Sequence, residues 1–209
     1  ESRGLGDVYK RQHNMGSSFA YHVDSLRSPT FTANHGVAPS IMDYARFNYV
    51  AQPEDGVTNF YPRVGEYDIW SVKWGYTYFD GEDQNTEKEI LNKWIKEKAN
   101  NYQYWFGYSN GIDPRSQTES IGSDNMDASY YGLLNLKRIV PNLINWTYED
   151  GKNYDDLKEL YLNVYSQFRR YIGHVSTNVG GIYENLKSND QDGDVYTHVP
   201  KNLQKKAIE

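Results

Sequence analysis

The stretch "APSIMDYARFNYV", residues 38–50, decides how this chain is read. Met42 stands in a turn rich in Pro and Ser, Tyr44 follows two residues later, and the pattern behind them predicts a short helix near residues 44–50. Alone, the segment also reads as an ordinary loop entering a helix, with Met42 as core filling. A second stretch, "HNMGSSF" at residues 13–19, changes the weight of the first. Together they set a His-Asn pair, His13 and Asn14, ahead of a Ser-x-Met-x-Tyr turn made by Ser40, Met42 and Tyr44.

The rest of the chain bounds what these stretches can belong to. With 209 residues, 20 Tyr, 7 Phe and 5 Trp, it can bury a sizeable core. A net charge of -6 and a pI near 5.4 argue against a general nucleic-acid or anionic-membrane partner. No run approaches the roughly 18 apolar residues that a membrane span needs, and the first residues given lack the apolar run of a signal peptide. Cysteine is absent, so disulfide and thiolate chemistry are excluded and a metal would have to use His, Asp, Glu or Tyr. The richness in Tyr and Asn suits an extracytoplasmic bacterial protein.

Along the chain, residues 1–64 are punctuated by Gly, Pro, Ser, Thr and Asn and read as connected loops. After that the pattern is helical. Trp70, Trp74 and Tyr78 recur every fourth residue over residues 67–79. Thr86 and Glu89 make a capping-box pair ahead of Ile90, Leu91, Trp94 and Ile95. Residues 102–108 predict a short strand, and residues 110–125 a loop. A helix from about Met126 sets Leu133, Leu136, Val140 and Leu143 on its buried side, and Pro141 kinks or splits it, having no amide hydrogen to donate. The clearest helix starts near Tyr154, with Leu157, Leu160, Tyr161, Val164, Phe168, Tyr171, Ile172 and Val175 as its stripe and Gly180 and Gly181 at its end. "GGIYENLK" and "DVYTHVP" pair as a hairpin, and a last helix begins near Lys201. The expected fold class is mainly α: a loop-rich segment over residues 13–64, then a helical subdomain over residues 65–209 with a small β-hairpin. Chemistry is expected in the irregular first third.

His13-Asn14 followed by Ser40, Ile41, Met42, Asp43 and Tyr44 resembles the metzincin clan of zinc peptidases. The similarity is greatest to bacterial metzincin-like proteases with a long helical C-terminal region. It extends through "SFAYHVDSLRSPTF", "YARFNYVAQPEDG", "IDPRSQTESIGSDNMDASYYGLLNLKRI" and "VYTHVPKNLQKKA", covering about residues 13–209. The signature of that clan is His-Glu-x-x-His-x-x-Gly-x-x-His followed by a Met-turn. Its first two His hold zinc from one helix face with the Glu as general base, and the third His completes the site. The resemblance implies that His13 is the third zinc ligand. It makes Met42 the floor beneath the imidazoles, with Ser40 in the same Met-turn, and gives Tyr44 an oxyanion- or zinc-contacting role. It implies Zn2+ as cofactor, a polypeptide substrate, an extracytoplasmic location, and residues 46–51 as part of the substrate-pocket wall. On this reading the chain is the C-terminal fragment of an α+β metzincin.

The upstream half of the signature departs from the pattern. The positions of the first His, the Glu, the second His and the Gly hold Arg3, Gly4, Asp7 and Lys10. Arg3 cannot ligate zinc and Gly4 cannot act as a base, whereas Asp7 has a carboxylate that could. The run "SRGLGDVYKRQ" resembles translated adapter read-through at the ends of environmental sequence assemblies. Residues 1–12 are therefore expected to be non-native, joined at Gln12 to a genuine fragment that lacks the N-terminal part of its catalytic domain and its zinc helix. The fragment itself is expected to be inactive. The alternative is a metzincin-derived pseudoenzyme with authentic residues 1–12, binding protein or glycan through its aromatic helices.

Other candidates read more simply. His22, His35, His174 and His198 have no metal-ligand spacing and read as loop or packing histidines. "NDQDGDVY", residues 189–196, invites a calcium loop but has Val195 and Lys201 where Gly and Glu are required, and reads as a polar hairpin turn. Glu82, Asp83, Glu87 and Glu89 suit a helix start.

Overall fold

The computed structural model describes residues 12–109, 111–189 and 191–209. Arg3, Gly4, Asp7 and Lys10, and with them the question of the upstream half-signature, lie outside the described residues. The helices are α1 (Pro29–His35), α2 (Glu66–Tyr76), α3 (Gln84–Lys98), α4 (Asn125–Ile139), α5 (Leu143–Thr147), α6 (Asp155–Ser176) and α7 (Lys201–Lys206). Strands β1 (Ile182–Glu184) and β2 (Tyr196–His198) form one antiparallel pair, with Ile182 opposite His198 and Glu184 opposite Tyr196. The fold is mainly α with a small hairpin, as the periodicity predicts. No helix among the described residues is long and apolar enough to cross a membrane.

The first third is irregular but not loose. Short 3-10 turns at Ser17–Ala20, Val23–Arg27 and Pro53–Asp55 connect segments that bury Tyr21, Val23, Leu26, Val37, Ala38, Ala45, Tyr49 and Val50. These pack in one core with Ile121, Ala128 and Leu136 of the α4 region and Tyr171 of α6. Gly132 makes the α4–α6 crossing close: a Cβ there would lie 2.6 Å from the Tyr171 ring. Arg27 adds a polar tie, donating to both oxygens of Asp55 at 2.8 and 2.7 Å and to the Tyr131 hydroxyl at 2.8 Å.

Several expectations are corrected. Residues 44–50 are not helical; the helix of this region is α1, where Ser28 caps and Pro29 takes the first position. The physical reason lies in Asn48. Its side chain accepts from the amides of Val50 and Ala51 and donates to the Leu26 carbonyl, and its own amide donates to Phe60, so no helical ladder forms. Residues 102–108 are not a strand but a 3-10 turn, Tyr102–Tyr104, and an extended run. The N-cap of α3 is Asp83, whose carboxylate accepts from Asn85 and Thr86, so Thr86 belongs to the first turn.

The helix carrying Pro141 splits as expected, into α4, the turn Val140–Asn142, and α5. Leu136 and Leu143 are buried, but Val140 is exposed. The aromatic stripes are also less buried than their spacing suggests. Trp74 is 38% exposed, and Tyr78, beyond the end of α2, is 82% exposed. On α6 only Tyr171 of the expected stripe is buried, while Leu160, Tyr161, Phe168 and Ile172 stay open. The apolar stripe of α6 is broader than the face that α4 and α5 cover.

Candidate functional site

The segment leading out of His13 is fixed from two sides. The Asn14 amide donates to the Met42 carbonyl at 3.1 Å, joining it to the turn of residues 40–44. The Asn14 side chain donates to the Trp105 carbonyl at 2.8 Å and accepts from the amides of Gly16 and Gly107 at 3.2 and 3.0 Å. Met15 extends this link, its amide reaching the Gly107 carbonyl at 3.0 Å. Asn14 is fully buried, so a side chain able to donate and accept at once is what this position requires.

The turn itself is built on two buried carboxylates. Asp68, in the first turn of α2, accepts from the Ser40 hydroxyl at 2.8 Å, the Ile41 amide at 2.9 Å and the Gly65 amide at 3.0 Å. Ser40 in turn accepts from the Met42 amide at 3.0 Å, and the Tyr67 amide donates to the Pro39 carbonyl at 3.1 Å. Asp43 accepts from the Ser18 amide at 2.6 Å. Gly65 is required by space: a Cβ would fall 2.3 Å from the Pro39 carbonyl oxygen. Met42 is 1% exposed at the centre of this arrangement.

The result is that His13 and Tyr44 meet. Their rings lie 4.7 Å apart, tilted by 40°, and both residues are half-buried. Four residues singled out from sequence, His13, Ser40, Met42 and Tyr44, thus come together. Asp68 was not legible as part of the site, because nothing in "GEYDIW" distinguishes it from an ordinary helix-start acid. Trp105 and Gly107 were likewise invisible, since they contribute backbone.

The remaining histidines stand apart. His22 is exposed and accepts from the Asp24 amide. His35 stacks on Phe31 and donates from Nδ1 to Glu66, which also accepts from the Tyr21 hydroxyl. Burial pushes the Glu66 carboxyl up, but the helix-start amide, Tyr21 and His35 outweigh it and hold the group below its ordinary range. His198 is exposed on β2.

His174 is the buried one. Its Nε2 donates to the Thr118 carbonyl at 3.0 Å, and its Nδ1 has no hydrogen-bond partner. Burial pulls its pKa down, with Arg170 acting in the same direction. The folded state therefore binds this proton less readily than the unfolded chain, and stability is lost as pH falls from about 6.5 through the depressed folded pKa. Urea midpoints followed from pH 7.5 to 4.5 should show this loss, and the His174→Gln variant should show a flatter profile below about pH 6.5.

A family model described as Met-zincin matches residues 12–209. The chain belongs to the Met-zincin family. No curated protein and no solved structure matches it. Membership makes this Met-zincin a relative of metzincin metallopeptidases, for which zinc and polypeptide substrates are general properties. Catalytic zinc in such enzymes takes three protein ligands and a water. Among the described residues of this Met-zincin, no three His, Asp or Glu side chains are grouped to hold a metal. The described residues alone therefore do not fit the ion, and His13 is one imidazole where three ligands are needed.

Proposed function

We propose that this chain is the C-terminal part of an extracytoplasmic zinc-dependent metalloendopeptidase. Residues 13–64 would close its catalytic domain and residues 65–209 would form a helical buttress. The observation that carries the reading is the contact of the His13 and Tyr44 rings beside the buried Met42 turn. In the parent, His13 is the third zinc ligand, Met42 and Ser40 belong to the supporting Met-turn, and Tyr44 contacts the oxyanion or the metal. Residues 1–12 are non-native, and the zinc helix stands upstream of His13 in the source gene. The 209-residue chain by itself is inactive.

The test joins residues 13–209 to the upstream segment recovered from the source DNA. If that segment carries His-Glu-x-x-His, the joined protein should bind one zinc and cleave a fluorogenic peptide, and His13→Ala should remove both properties. The 209-residue chain should do neither. Tight stoichiometric zinc binding or peptidase activity in the 209-residue chain would overturn the reading, as would clean long reads spanning "KRQHNM".

One observation favours the second reading, a non-catalytic module. Trp74, Tyr76 and Tyr78 are exposed, which suits contact with a protein or glycan. Authentic residues 1–12 together with glycan binding lost on Trp74→Ala would favour it.

A further inference from the structure

Glu119 is the one non-glycine residue with positive φ among the described residues, at 66°. An L-residue with a Cβ is disfavoured there, and such a conformation persists only where its surroundings impose it. The surroundings are two arginines. Arg46 Nε lies 2.9 Å from Glu119 Oε1 as an ion pair rather than an aligned hydrogen bond, and Arg170 Nε pairs with Oε2. One carboxylate thus joins the segment just after the Met42 turn to helix α6.

The loop around Glu119 is tied to the same two elements on either side. Gln117 donates to the His174 carbonyl at 3.1 Å, and His174 donates back to the Thr118 carbonyl at 3.0 Å. The Ile121 amide donates to the Tyr49 hydroxyl at 3.2 Å. Tyr49 in turn rests on the Tyr171 ring at 4.8 Å. Glu119 therefore sits at the middle of a cross-link whose ends are already fixed.

Arg46 connects this link to the site. Tyr44 and Arg46 are both half-buried, on either side of the buried Ala45. Arg46 follows Tyr44 by two residues, so what restrains Arg46 restrains the backbone beside the ring that meets His13.

We propose that Glu119 is a positioning residue of the candidate site, holding the segment after the Met42 turn through Arg46 so that Tyr44 stays against His13. Its relevance to catalysis rests on the peptidase reading, but its geometry does not. The 209-residue protein serves for the test, with Tyr44 ring signals followed by aromatic NMR and trypsin cleavage after Arg46 followed in parallel. Glu119→Gly removes the carboxylate while relieving the backbone. It should shift the Tyr44 signals, leave those of Tyr183 in place, and speed cleavage after Arg46 by at least tenfold. Unchanged Tyr44 signals and cleavage overturn the proposal. A second pair is read by NMR alone: Arg46→Ala should move the Tyr44 signals and Arg46→Lys should largely keep them. If Glu119→Gly fails to fold, this pair decides, and equal behaviour of its two members overturns the proposal. Neither readout involves zinc or peptide hydrolysis by this protein, so failure of the peptidase reading and failure of this assignment are separate results.

Discussion

Replacing Asp68 by alanine should destabilise the protein by about 3–5 kcal/mol, since each buried donor left without its acceptor costs roughly 1–3 kcal/mol and such losses are only partly additive. Asp68 is 2% exposed and accepts from the Ser40 hydroxyl and from the amides of Ile41 and Gly65. Water cannot readily replace it, because both amide hydrogen bonds are buried. The loss is a large fraction of the ~5–15 kcal/mol that holds a typical domain. Asp68→Asn tests the cause more sharply. It keeps the volume but forces its amide group toward donors, and it should lose at least about 2 kcal/mol. Urea unfolding with unchanged m-value measures both variants. An Asn variant as stable as the wild type would mean that the charge and acceptor count at this position are unimportant to the Met42 turn.

The second large effect is expected at Arg115. Its guanidinium donates to both Asp113 oxygens, from Nε at 3.0 Å and from Nη2 at 2.7 Å, and lies over the rings of Trp105 and Tyr183 at 4.7 and 4.3 Å. Burial presses the guanidinium down, but Asp113 outweighs it and holds the group above its ordinary value. Asp113 also accepts from the Glu184 amide at 2.8 Å, so the pair anchors strand β1. Removing one partner of such a buried pair costs about 3–5 kcal/mol, because the other charge is left without compensation. Arg115→Ala should lose that amount. Arg115→Lys should lose most of it, since an ammonium cannot make the bidentate contact or lie flat between two rings. The double variant Arg115→Met with Asp113→Leu should not recover the loss, because Asp113→Leu also leaves the Glu184 and Arg115 amides without their acceptor. Chemical denaturation of all three variants checks the order.

What was legible in the sequence follows from the range of the interactions. Helices α4 and α6 show through periodicity, and Pro141 and Gly180 mark their interruptions, because helical order is encoded within a few residues. The hairpin is legible for the same reason. The approach of His13 to the Met42 turn could be read only through resemblance, since nothing local joins two segments that far apart in sequence. The failures lie where side chains hold the backbone. Asn48 replaces the expected helix at residues 44–50 by accepting from two amides, and Asp83 rather than Thr86 caps α3. The exposure of Tyr161, Phe168 and Ile172 on α6 depends on how much of the helix α4 and α5 can cover, and spacing alone carries no information about that.

Asn14 has one more consequence, for the order in which the fold is made. The partners of its side chain, Trp105 and Gly107, are 91 and 93 residues away in sequence. Chain entropy must be surrendered to bring such distant ends together before any of these bonds forms, and topologies rich in distant contacts fold slowly. Helices α4 and α6 need no such closure and can form from neighbours. The contact of His13 with Tyr44 is therefore expected late in folding, once the segment before the Met42 turn has found a backbone stretch far downstream. A change near residue 105 would reach the site through the timing of its assembly even where it leaves the finished geometry intact.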